Sequence, residues 1–480
     1  MPASSNSQFM HLNYILKPFT QSVELITSLP FIIKKRRKKE RKKEYVDFKK
    51  LPKSLTEKQK EKSLKNSIKD GVSASVTAGV VDSYIAPYAI AMQASNIQIA
   101  MLTSIPNLIA PALQLQTPKR LEQAGRKKLI VRSVLFQALM LIPIALLSLL
   151  FLFKSTAKFV SYAPLMLVFF FTLYVIFGSL YGPAWASWIG DLVSEKHRYS
   201  FFAKRNIVCG AAALITTLLA GFFLDLWKKE AVYIGFIIIF MIAMVARLFS
   251  RYFLSKKYES KLKLEKGYYF SFFDFLKRMR YNNFGRFVIY IAAIIFATNI
   301  AGPFFAVYML KDLNFSYTTF TIINIAAAVT TLFAFRYWGN FSEKYGNIKI
   351  VKFCGLFLVP LLPILWIFSH NFWWLIFIQV LSGLTWAGFN LAAGNFVYDT
   401  VTPQRRSLCV AYQNVINGLA VFSGATIGGL LATHVNVGIN VLLFVFFISG
   451  ILRFIFSVFM LPQIKEVKKL ANGTIVTITD

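Results

Sequence analysis

Asp82 is the only acidic residue in the middle of a long apolar segment of this 480-residue chain. If that segment enters a bilayer near Asp70, Asp82 lies about 18 Å deeper, because an α-helix rises about 1.5 Å per residue. Ionisable groups at such depth are costly and mark functional sites. We therefore predict that Asp82 is a coupling site for protons or cations, or that it binds a cationic group of a substrate. The alternative is a structural acid that is hydrogen bonded to a neighbouring helix.

Aromatic and amide side chains recur at helical spacing in several apolar segments. One segment carries four aromatics spaced by 7, 4 and 3 residues: Tyr174, Tyr181, Trp185 and Trp188. Another carries polar and aromatic residues spaced by 3, 4 and 4: Gln379, Ser382, Trp386 and Asn390. Such faces line a cavity or pack against another helix, since amides do not favour lipid. The predicted substrate-binding residues are Tyr84, Tyr181, Trp185, Asn299, Gln379, Trp386 and Asn390.

Catalytic and metal-binding patterns are missing from the sequence. It has no Walker lysine motif, no His/Glu metal spacing and no Ser/His/Asp set, and it contains only four histidines. Its three cysteines show no CxxC spacing, which excludes a disulfide framework and a cysteine zinc site. We therefore expect no cofactor, no metal and no enzymatic activity.

The elements that must position these residues are bilayer-length helices. The chain is 56% hydrophobic, its mean hydropathy is +0.54, and it has 54 Lys and Arg residues against 21 Asp and Glu residues. The charges form blocks between apolar runs of about 20 residues, which is typical of a polytopic membrane protein. This arrangement excludes most soluble folds and disfavours a nucleic-acid partner, because no compact domain carries the basic residues.

Twelve apolar segments follow residue 70, so we predict an all-α polytopic protein with twelve transmembrane helices. Their approximate centres are 82, 105, 141, 172, 214, 241, 295, 325, 358, 384, 420 and 448. The loops after the odd-numbered segments hold five Lys or Arg residues in all, whereas the loop after the sixth segment alone holds eleven. By the positive-inside rule the even-numbered loops and both termini are cytoplasmic, in a multi-pass protein of the cell membrane.

The membrane part repeats itself at an offset of 208 residues. The matching residues are Asp191, Val193, Ser194, Arg198, Ala203, Asn206 and Gly210 in the first copy, and Asp399, Val401, Thr402, Arg406, Ala411, Asn414 and Gly418 in the second. We therefore predict two pseudo-symmetric six-helix halves, at 67–255 and 284–462, joined by a basic cytoplasmic linker at 256–283. A doubled architecture of this kind is typical of transporters, which bind their substrate between the halves.

The two ends of the chain are predicted to be cytoplasmic tails, at 1–66 and 463–480. The first contains a strongly basic run from Lys34 to Lys43 and lacks the features of a signal peptide. It is expected to be largely disordered, or to lie on the membrane surface with its basic residues against anionic lipid headgroups.

The loop between the second and third segments carries a family motif. Pro118-Lys-Arg-Leu-Glu122-Gln-Ala-Gly125-Arg126-Lys127 and Gly339-Asn-Phe-Ser-Glu343-Lys344-Tyr-Gly346 resemble the motif Gly-x-Leu-Ala-Asp-Arg-x-Gly-Arg-Arg/Lys of the major facilitator superfamily. The resemblance covers about residues 70–462, although Glu replaces the family Asp in both copies and Pro118 replaces the first Gly. It implies that Glu122 and Glu343 help to latch the halves together at the cytoplasmic side. The predicted cytoplasmic gate comprises Glu122, Arg126, Asp191, Arg198, Glu343, Asp399 and Arg406.

The resulting functional prediction is a secondary active transporter of a small organic solute. It is expected to be proton- or cation-coupled, to work by alternating access and to be a monomer. One alternative is an exporter of amphipathic compounds, although the resemblance disfavours it because the fourth segment lacks the arginine, and the fifth the Gly-Pro motif, of many proton-coupled exporters. The other is a non-transporting sensor or lipid-handling protein of the same architecture. The substrate, the coupling ion and the direction of transport remain open.

Overall fold

The structure is a computed structural model that describes residues 55–115, 125–153, 157–193, 198–227, 231–259, 270–436, 438 and 440–467. All the regular secondary structure in these ranges is helical. Residues 1–54 of the predicted N-terminal tail (1–66), residues 468–480 of the predicted C-terminal tail (463–480) and the gate residue Glu122 lie outside the described residues.

The first half contains six long helices and a short helix, Ala157–Val160. The long helices are α1 (Glu57–Ala91), α2 (Asn96–Gln114), α3 (Arg126–Leu146, followed by a turn at Leu149–Leu152), α4 (Ala163–Leu192), α5 (Arg198–Asp225) and α6 (Val232–Ser255). A linker helix, Phe272–Met279, precedes the second half.

The second half again contains six long helices, two of which include a π-helical turn. They are α7 (Asn283–Ala301, continued by Phe304–Val307 and a π-turn at Tyr308–Asp312), α8 (Tyr317–Tyr345), α9 (Asn347–Phe353, a π-turn at Cys354–Leu358, and Val359–Leu365), α10 (Phe372–Thr400), α11 (Pro403–His434) and α12 (Val441–Met460).

Ten of these helices are long and apolar enough to cross a membrane, counted over the described residues. The other two, α1 and α2, complete the dozen, and each lies over one of the predicted segment centres, 82 and 105. The prediction of twelve transmembrane helices is confirmed. The polar residues of α1, including Asp70 and Asp82, keep it below the apolarity of the other helices.

The start of α1 differs from the predicted domain boundary. The helix begins at Glu57 and not near residue 67, so residues 57–66 belong to a helix and not to the tail. A capping box explains this start, because the Thr56 side chain accepts the backbone amide of Gln59 while the Gln59 side chain accepts that of Thr56. Lys60 pairs with Glu57 in the next turn at 2.7 Å.

The packing of the helices repeats between the halves. In the first half α1 packs on α5 and α6, α3 on α4 and α6, and α2 on α4. Each pairing recurs six helices later: α7 packs on α11 and α12, α9 on α10 and α12, and α8 on α10. The halves meet through α2 against α11 and α5 against α8, which is also a symmetric pair of contacts. This confirms the prediction of two pseudo-symmetric six-helix halves.

The hydrophobic core differs between the two ends of the bundle. We call the end with the loops after α1, α3, α5, α7, α9 and α11 the odd-loop end, and the opposite end the even-loop end. At the odd-loop end one continuous cluster of buried side chains includes both halves, with Tyr88 and Phe236 from the first and Phe304 and Phe446 from the second. Toward the even-loop end each half has its own cluster. The hydrophobic cluster that the halves share therefore lies at the odd-loop end.

Candidate functional site

A central cavity opens between α5 and α8. Near the odd-loop end these helices touch, since a methyl group at Gly221 would lie 2.6 Å from Tyr84 Oη and 2.8 Å from Thr321 Oγ1. A methyl group at Gly210 or Gly339 would meet no atom of the described residues within 4 Å. Gly210 lies about three turns from Gly221, and Gly339 about five turns from Thr321, so each pair shares a helix face. The two helices therefore diverge toward the even-loop end.

Amide side chains line the opened faces. Asn206 on α5, Asn324 on α8 and Asn414 on α11 are all exposed although they lie within apolar helices. Asn206 lies about three turns from Thr217, whose hydroxyl donates to the Gly79 carbonyl of α1, so Asn206 lies on the side of α5 that borders α1. Because amides do not favour lipid, these side chains face the cavity.

The odd-loop end is closed by a helix cap that crosses between the halves. Asp225, the last residue of α5, accepts the backbone amides of Tyr317 and Thr318, the first residues of α8, at 2.8 Å each. A carboxylate at a helix N-terminus is favoured by the unpaired amides and by the helix dipole. Asp225 therefore holds the start of α8 against the end of α5.

Two further side chains cross between the halves at the same end. Lys311 Nζ donates to the carbonyl of Ala94 at 3.1 Å, and Asn96 Nδ2 donates to the carbonyl of Ala432 at 2.9 Å. With the Asp225 cap and the shared hydrophobic cluster, these contacts close the odd-loop end to solutes.

Asp82 is exposed on α1 and has no hydrogen bond to the described residues. Its carboxylate lies close enough to the Tyr174 hydroxyl of α4 to interact with it electrostatically. The structure therefore places Asp82 on the cavity side of the first half, and not in a hydrogen-bonded contact between packed helices.

The predicted residues of α10 share one face. Gln379 and Trp386 are partly exposed and Asn390 is exposed. This face lies between the side that packs on α8 through Gly383 and the side that packs on α7 through Phe389. It is therefore open to the cavity, with an amide at each end and an indole between them.

Tyr84 and Asn299 differ from this arrangement. Tyr84 is fully buried, and its hydroxyl lies 2.6 Å from both the Thr217 carbonyl and Thr321 Oγ1. It joins α1, α5 and α8 at the closed end. Asn299 is partly exposed, and its Nδ2 donates to the Ile295 carbonyl of its own helix at 2.8 Å.

A buried charged cluster lies in the first half toward the even-loop end. Arg247 donates to Gln137 Oε1 at 2.9 Å and to Ser250 Oγ at 3.1 Å, and Ser250 donates to Asp70 Oδ1 at 2.7 Å. Arg247 also lies over the ring of Tyr181, at 5.1 Å from its centroid. Asp70 is fully buried and also interacts electrostatically with Lys257 and Arg205.

Lys257 and Trp185 belong to the same cluster. The Lys257 ammonium is 1% exposed, lies 4.5 Å from the centroid of Trp188 and has no hydrogen-bond partner in the described residues. Burial lowers its pKa to about 8; Asp70 opposes this shift and Arg205 adds to it. Trp185 stacks with Arg205, whose guanidinium carbon lies 4.4 Å from the ring centroid. The predicted residues Tyr181 and Trp185 therefore contact cations.

The predicted gate residues of the second half line a polar pocket of about 290 Å³ at the even-loop end. Its lining residues are Gly339, Ser342, Glu343, Asn347, Asn395, Tyr398 and Asp399. Asn347 Nδ2 donates to Asp399 Oδ2 at 2.6 Å. Arg406 instead donates to the backbone carbonyls of Tyr398 and Val401, both at 3.2 Å. The structure brings Glu343 and Asp399 together, but it binds Arg406 to backbone oxygens.

Arg126, the predicted gate residue of the first half, is fully buried against Glu259. Its backbone amide donates to Glu259 Oε1 at 2.9 Å, and its Nε lies 3.7 Å from the same oxygen. In the second half the amide of Ile348 donates to Glu466 Oε2 at 2.7 Å. Glu259 and Glu466 lie 207 residues apart, just beyond α6 and α12. In each half a carboxylate beyond the sixth helix thus binds the start of the third.

Asp191 and Arg198 lie at the end of α4 and the start of α5, at the even-loop end, and their side chains are outside the described part of the structure. Glu122 is outside it entirely. The positions of the first-half gate residues other than Arg126 therefore stay predictions.

Several residues at the two ends were not predicted from the sequence. Glu259 and Glu466 carry a signal, since their separation of 207 matches the offset of the repeat. Asp225 has none, because Thr433 stands at its repeat position. In the sequence Asp70 marks only the point where the first segment enters the bilayer. Lys257 is one of the eleven basic residues counted after the sixth segment.

Among the described residues no three His, Cys, Asp or Glu side chains converge on a common point. What the geometry provides is a cavity between two six-helix halves, closed at one end and lined by amides, aromatics and one carboxylate. This is the architecture of a membrane transporter with two repeated halves.

The sequence matches the model of the Major Facilitator Superfamily over residues 71–301 and 287–476. The chain therefore belongs to this superfamily, as the motif resemblance indicated. No curated protein matches the sequence significantly.

Solved structures share the fold at low sequence identity. The nucleoside transporter NupG is 16% identical with a TM-score of 0.61, covering 84% of this chain and 99% of its own. A bacterial homologue of the iron transporter ferroportin in its inward-facing state is 14% identical with a TM-score of 0.61, covering 84% and 98%. A structure of a bacterial ferroportin homologue in the outward-facing state is 13% identical with a TM-score of 0.52, covering 85% of this chain and 99% of its own.

Proposed function

We propose that this protein is a secondary active transporter that moves a small organic solute across the cell membrane by alternating access, coupled to protons or another cation. The observation that carries the proposal is the cavity between the halves, closed at the odd-loop end by Asp225 and open where Gly210 and Gly339 face free space. A pocket that opens to one side at a time is the requirement for alternating access.

The even-loop end is proposed to be cytoplasmic, because the even-numbered loops carry most of the basic residues. The described conformation is then inward-facing. The higher TM-score to the inward-facing than to the outward-facing ferroportin homologue, 0.61 against 0.52, supports this assignment. The working unit is proposed to be a monomer.

Asp82 is the proposed coupling residue, since it is a carboxylate exposed to the cavity in the middle of α1. The solute is proposed to bind between Tyr181 and Trp185 of the first half and Gln379, Trp386 and Asn390 of the second. Indole and phenol rings stack on planar or apolar groups while the amides hydrogen bond to polar groups, which suits an amphipathic solute.

The test is transport by purified protein in proteoliposomes, with and without an imposed pH gradient, on solutes selected by a thermal-shift screen. We expect the gradient to drive accumulation by the wild type and the Asp82→Asn variant to lose this response while still binding the solute. Unchanged gradient-driven transport by Asp82→Asn would exclude Asp82 as the coupling site. Failure to transport any solute that binds would contradict the transporter assignment itself.

The basic N-terminal segment is proposed to bind anionic lipid headgroups through Lys34–Lys43. Deleting residues 1–54 and reconstituting the shortened protein in vesicles with and without phosphatidylglycerol tests this. We expect transport to survive the deletion and its dependence on anionic lipid to disappear. Complete loss of function with the tail would instead favour a sensor or lipid-handling role.

A further inference from the structure

Arg205 occupies an unusual position at the wall of the cavity. Its Nε donates to the Ser67 carbonyl of α1 at 3.3 Å, and its guanidinium plane lies over Trp185 of α4. It also lies against Gly71 of α1, where a methyl group would come within 2.8 Å of Nη2. Three helices therefore fix the plane and the direction of this guanidinium.

The two terminal nitrogens of Arg205 are left available. Neither Nη1 nor Nη2 is hydrogen bonded to a described residue, and neither is among the enclosed polar atoms of the protein. Arg205 is partly exposed as a residue, so both nitrogens reach open space. A guanidinium held in one plane with two free parallel N–H groups matches the geometry of a carboxylate or a phosphate.

Arg205 and Asp82 lie beside the same face of α1. Gly71, on which the guanidinium lies, is 11 residues from Asp82, which places both on the same face of α1 after about three turns. Asp82 is exposed on that face. Arg205 therefore lies on the same side of α1 as Asp82, nearer to the even-loop end by about 16 Å along α1.

The charges behind Arg205 favour an anion. Asp70 interacts electrostatically with three cations, Lys257, Arg247 and Arg205, and it is the single carboxylate of this cluster among the described residues. The cluster therefore carries an excess of positive charge inside a low-dielectric wall. Such an excess raises the local concentration of anions at the exposed member, which is Arg205.

We propose that Arg205 recognises a carboxylate or phosphate group on the transported solute, in a bidentate contact stacked on Trp185. This inference rests on the proposed transport function and adds the chemical class of the solute. Gly71, on which the guanidinium lies, and Asp82 are about 16 Å apart along α1, which favours separate contacts for the two charges. The anionic group is therefore bound at the open end of the cavity, independently of the coupling carboxylate.

The test is binding of succinate and of inorganic phosphate to the protein in phosphatidylcholine nanodiscs, followed by tryptophan fluorescence and by thermal shift. We expect at least one probe to change the emission of Trp185 with a saturable dependence on concentration. Arg205→Lys keeps the charge but loses the planar fork, so its affinity should fall at least 10-fold. Lys204→Ala, one residue away and exposed, is the matched control and should bind as the wild type does.

Gly71→Ala provides a second variant that leaves every charge in place. Its methyl group would displace the Arg205 guanidinium, so binding should weaken as in Arg205→Lys. Equal affinity in the wild type, Arg205→Lys and Gly71→Ala, or no binding of either probe to the wild type, would overturn the proposal.

Lipid headgroups carry the same chemistry, so the assay is repeated with phosphatidylglycerol in the nanodiscs. Competition of this lipid with succinate would assign Arg205 to a headgroup and overturn the solute assignment.

The proposed transport function and the anion site can fail separately. If Arg205→Lys alters probe binding but no solute is transported, the proposed function fails and the anion site stands. If a solute without an anionic group is transported equally by wild type and Arg205→Lys, the proposed transport function stands and the anion site fails.

Discussion

Asp225 Oδ1 accepts the backbone amide of Tyr317 at 2.8 Å, and this bond joins the last residue of α5 in one half to the first residue of α8 in the other. The second carboxylate oxygen accepts the next amide along α8. The proposed alternating access requires the halves to move apart at this end, and this contact between α5 and α8 must then break. It would therefore contribute directly to the balance between the two proposed conformations.

Replacing Asp225 by Asn should shift that balance toward opening of the odd-loop end. The substitution removes the negative charge and one of the two acceptors, and hydrogen bonds to charged groups contribute about 1.5–3 kcal/mol. We expect the ratio of the two conformations to change by roughly 10- to 100-fold. Tyr162 and Phe368 are exposed at the odd-loop end of different halves. Double electron–electron resonance between spin labels at these two positions measures the change in distance.

Asp312→Asn is the matched control for this experiment. Asp312 lies at the same end and accepts a hydrogen bond from Asn440, but both residues belong to the second half. Its distance distribution should match that of the wild type. If Asp225→Asn leaves the distribution unchanged as well, the cap does not determine the state of the odd-loop end.

A large side chain at Gly210 should hold the cavity open at the even-loop end. The position faces free space in the described conformation, so a tryptophan fits there, but it would meet α8 when the even-loop ends of the halves come together. We expect Gly210→Trp to bind solute from the even-loop side and to lose transport. Gly221→Ala, which places a methyl group 2.6 Å from Tyr84 Oη, should instead disfavour the closed odd-loop end. Equal transport by Gly210→Trp and the wild type would contradict the proposed closure of α5 on α8.

The pKa of Lys257 gives a prediction about pH. Burial lowers it from 10.5 to about 8, so the unfolded chain binds a proton between these values that the folded protein does not. The cost of the buried charge is fully present below pH 8 and is relieved as the pH rises through that range. The wild type should therefore gain up to about 1.4 kcal/mol per pH unit relative to Lys257→Met. Apparent melting temperatures at pH 7.0, 8.5 and 9.5 measure the difference, and parallel curves for the two proteins would refute it.

Glu259 and Glu466 occupy equivalent positions but should differ in importance. Glu259→Gln removes the negative charge that binds the backbone amide and faces the side chain of the buried Arg126, and hydrogen bonds to charged groups contribute about 1.5–3 kcal/mol. Glu466→Gln keeps an oxygen for the amide of Ile348, so a loss of about 1 kcal/mol is expected. Thermal unfolding in nanodiscs compares the two. The exposed Glu57→Gln should show no measurable loss, and equal losses from Glu259→Gln and Glu466→Gln would contradict the argument.

The fold follows from the sequence because the lengths of the apolar segments and the repeat between the two halves can both be identified in it directly. Twelve bilayer-length segments fix the number of helices, and the matching positions around Asn206 and Asn414 fix the doubling. The predicted boundary at residue 67 lies ten residues beyond the start of α1 at Glu57, because hydropathy is insensitive to a polar helical extension such as the one capped by Thr56.

The candidate site could be predicted less completely. Periodicity identified the cavity face of α10 with Gln379, Trp386 and Asn390, since a row of amides along an apolar helix must be turned away from lipid. Periodicity does not distinguish a cavity from a contact between helices, so Tyr84 was grouped with the substrate-binding residues although it joins α1 to α8. Contacts between distant segments, such as Asp225 with Tyr317, depend on the packing of the halves and leave no local pattern.

The two interfaces between the halves differ in length. α2 and α11 touch from Asn96 and Ala432 at the odd-loop end to Asn107 and Gly418, which is 16 residues or about 24 Å from the last residue of α11. α5 and α8 touch from Asp225 and Tyr317 to Gly221 and Thr321, which is four residues or about 6 Å, before they diverge. The halves should therefore rotate about a hinge formed by the longer interface, α2 with α11. The largest displacement is then expected between α5 and α8. A solute would then enter and leave from the side of α5 and α8, and a cross-link between α2 and α11 would be tolerated where one between α5 and α8 would stop the cycle.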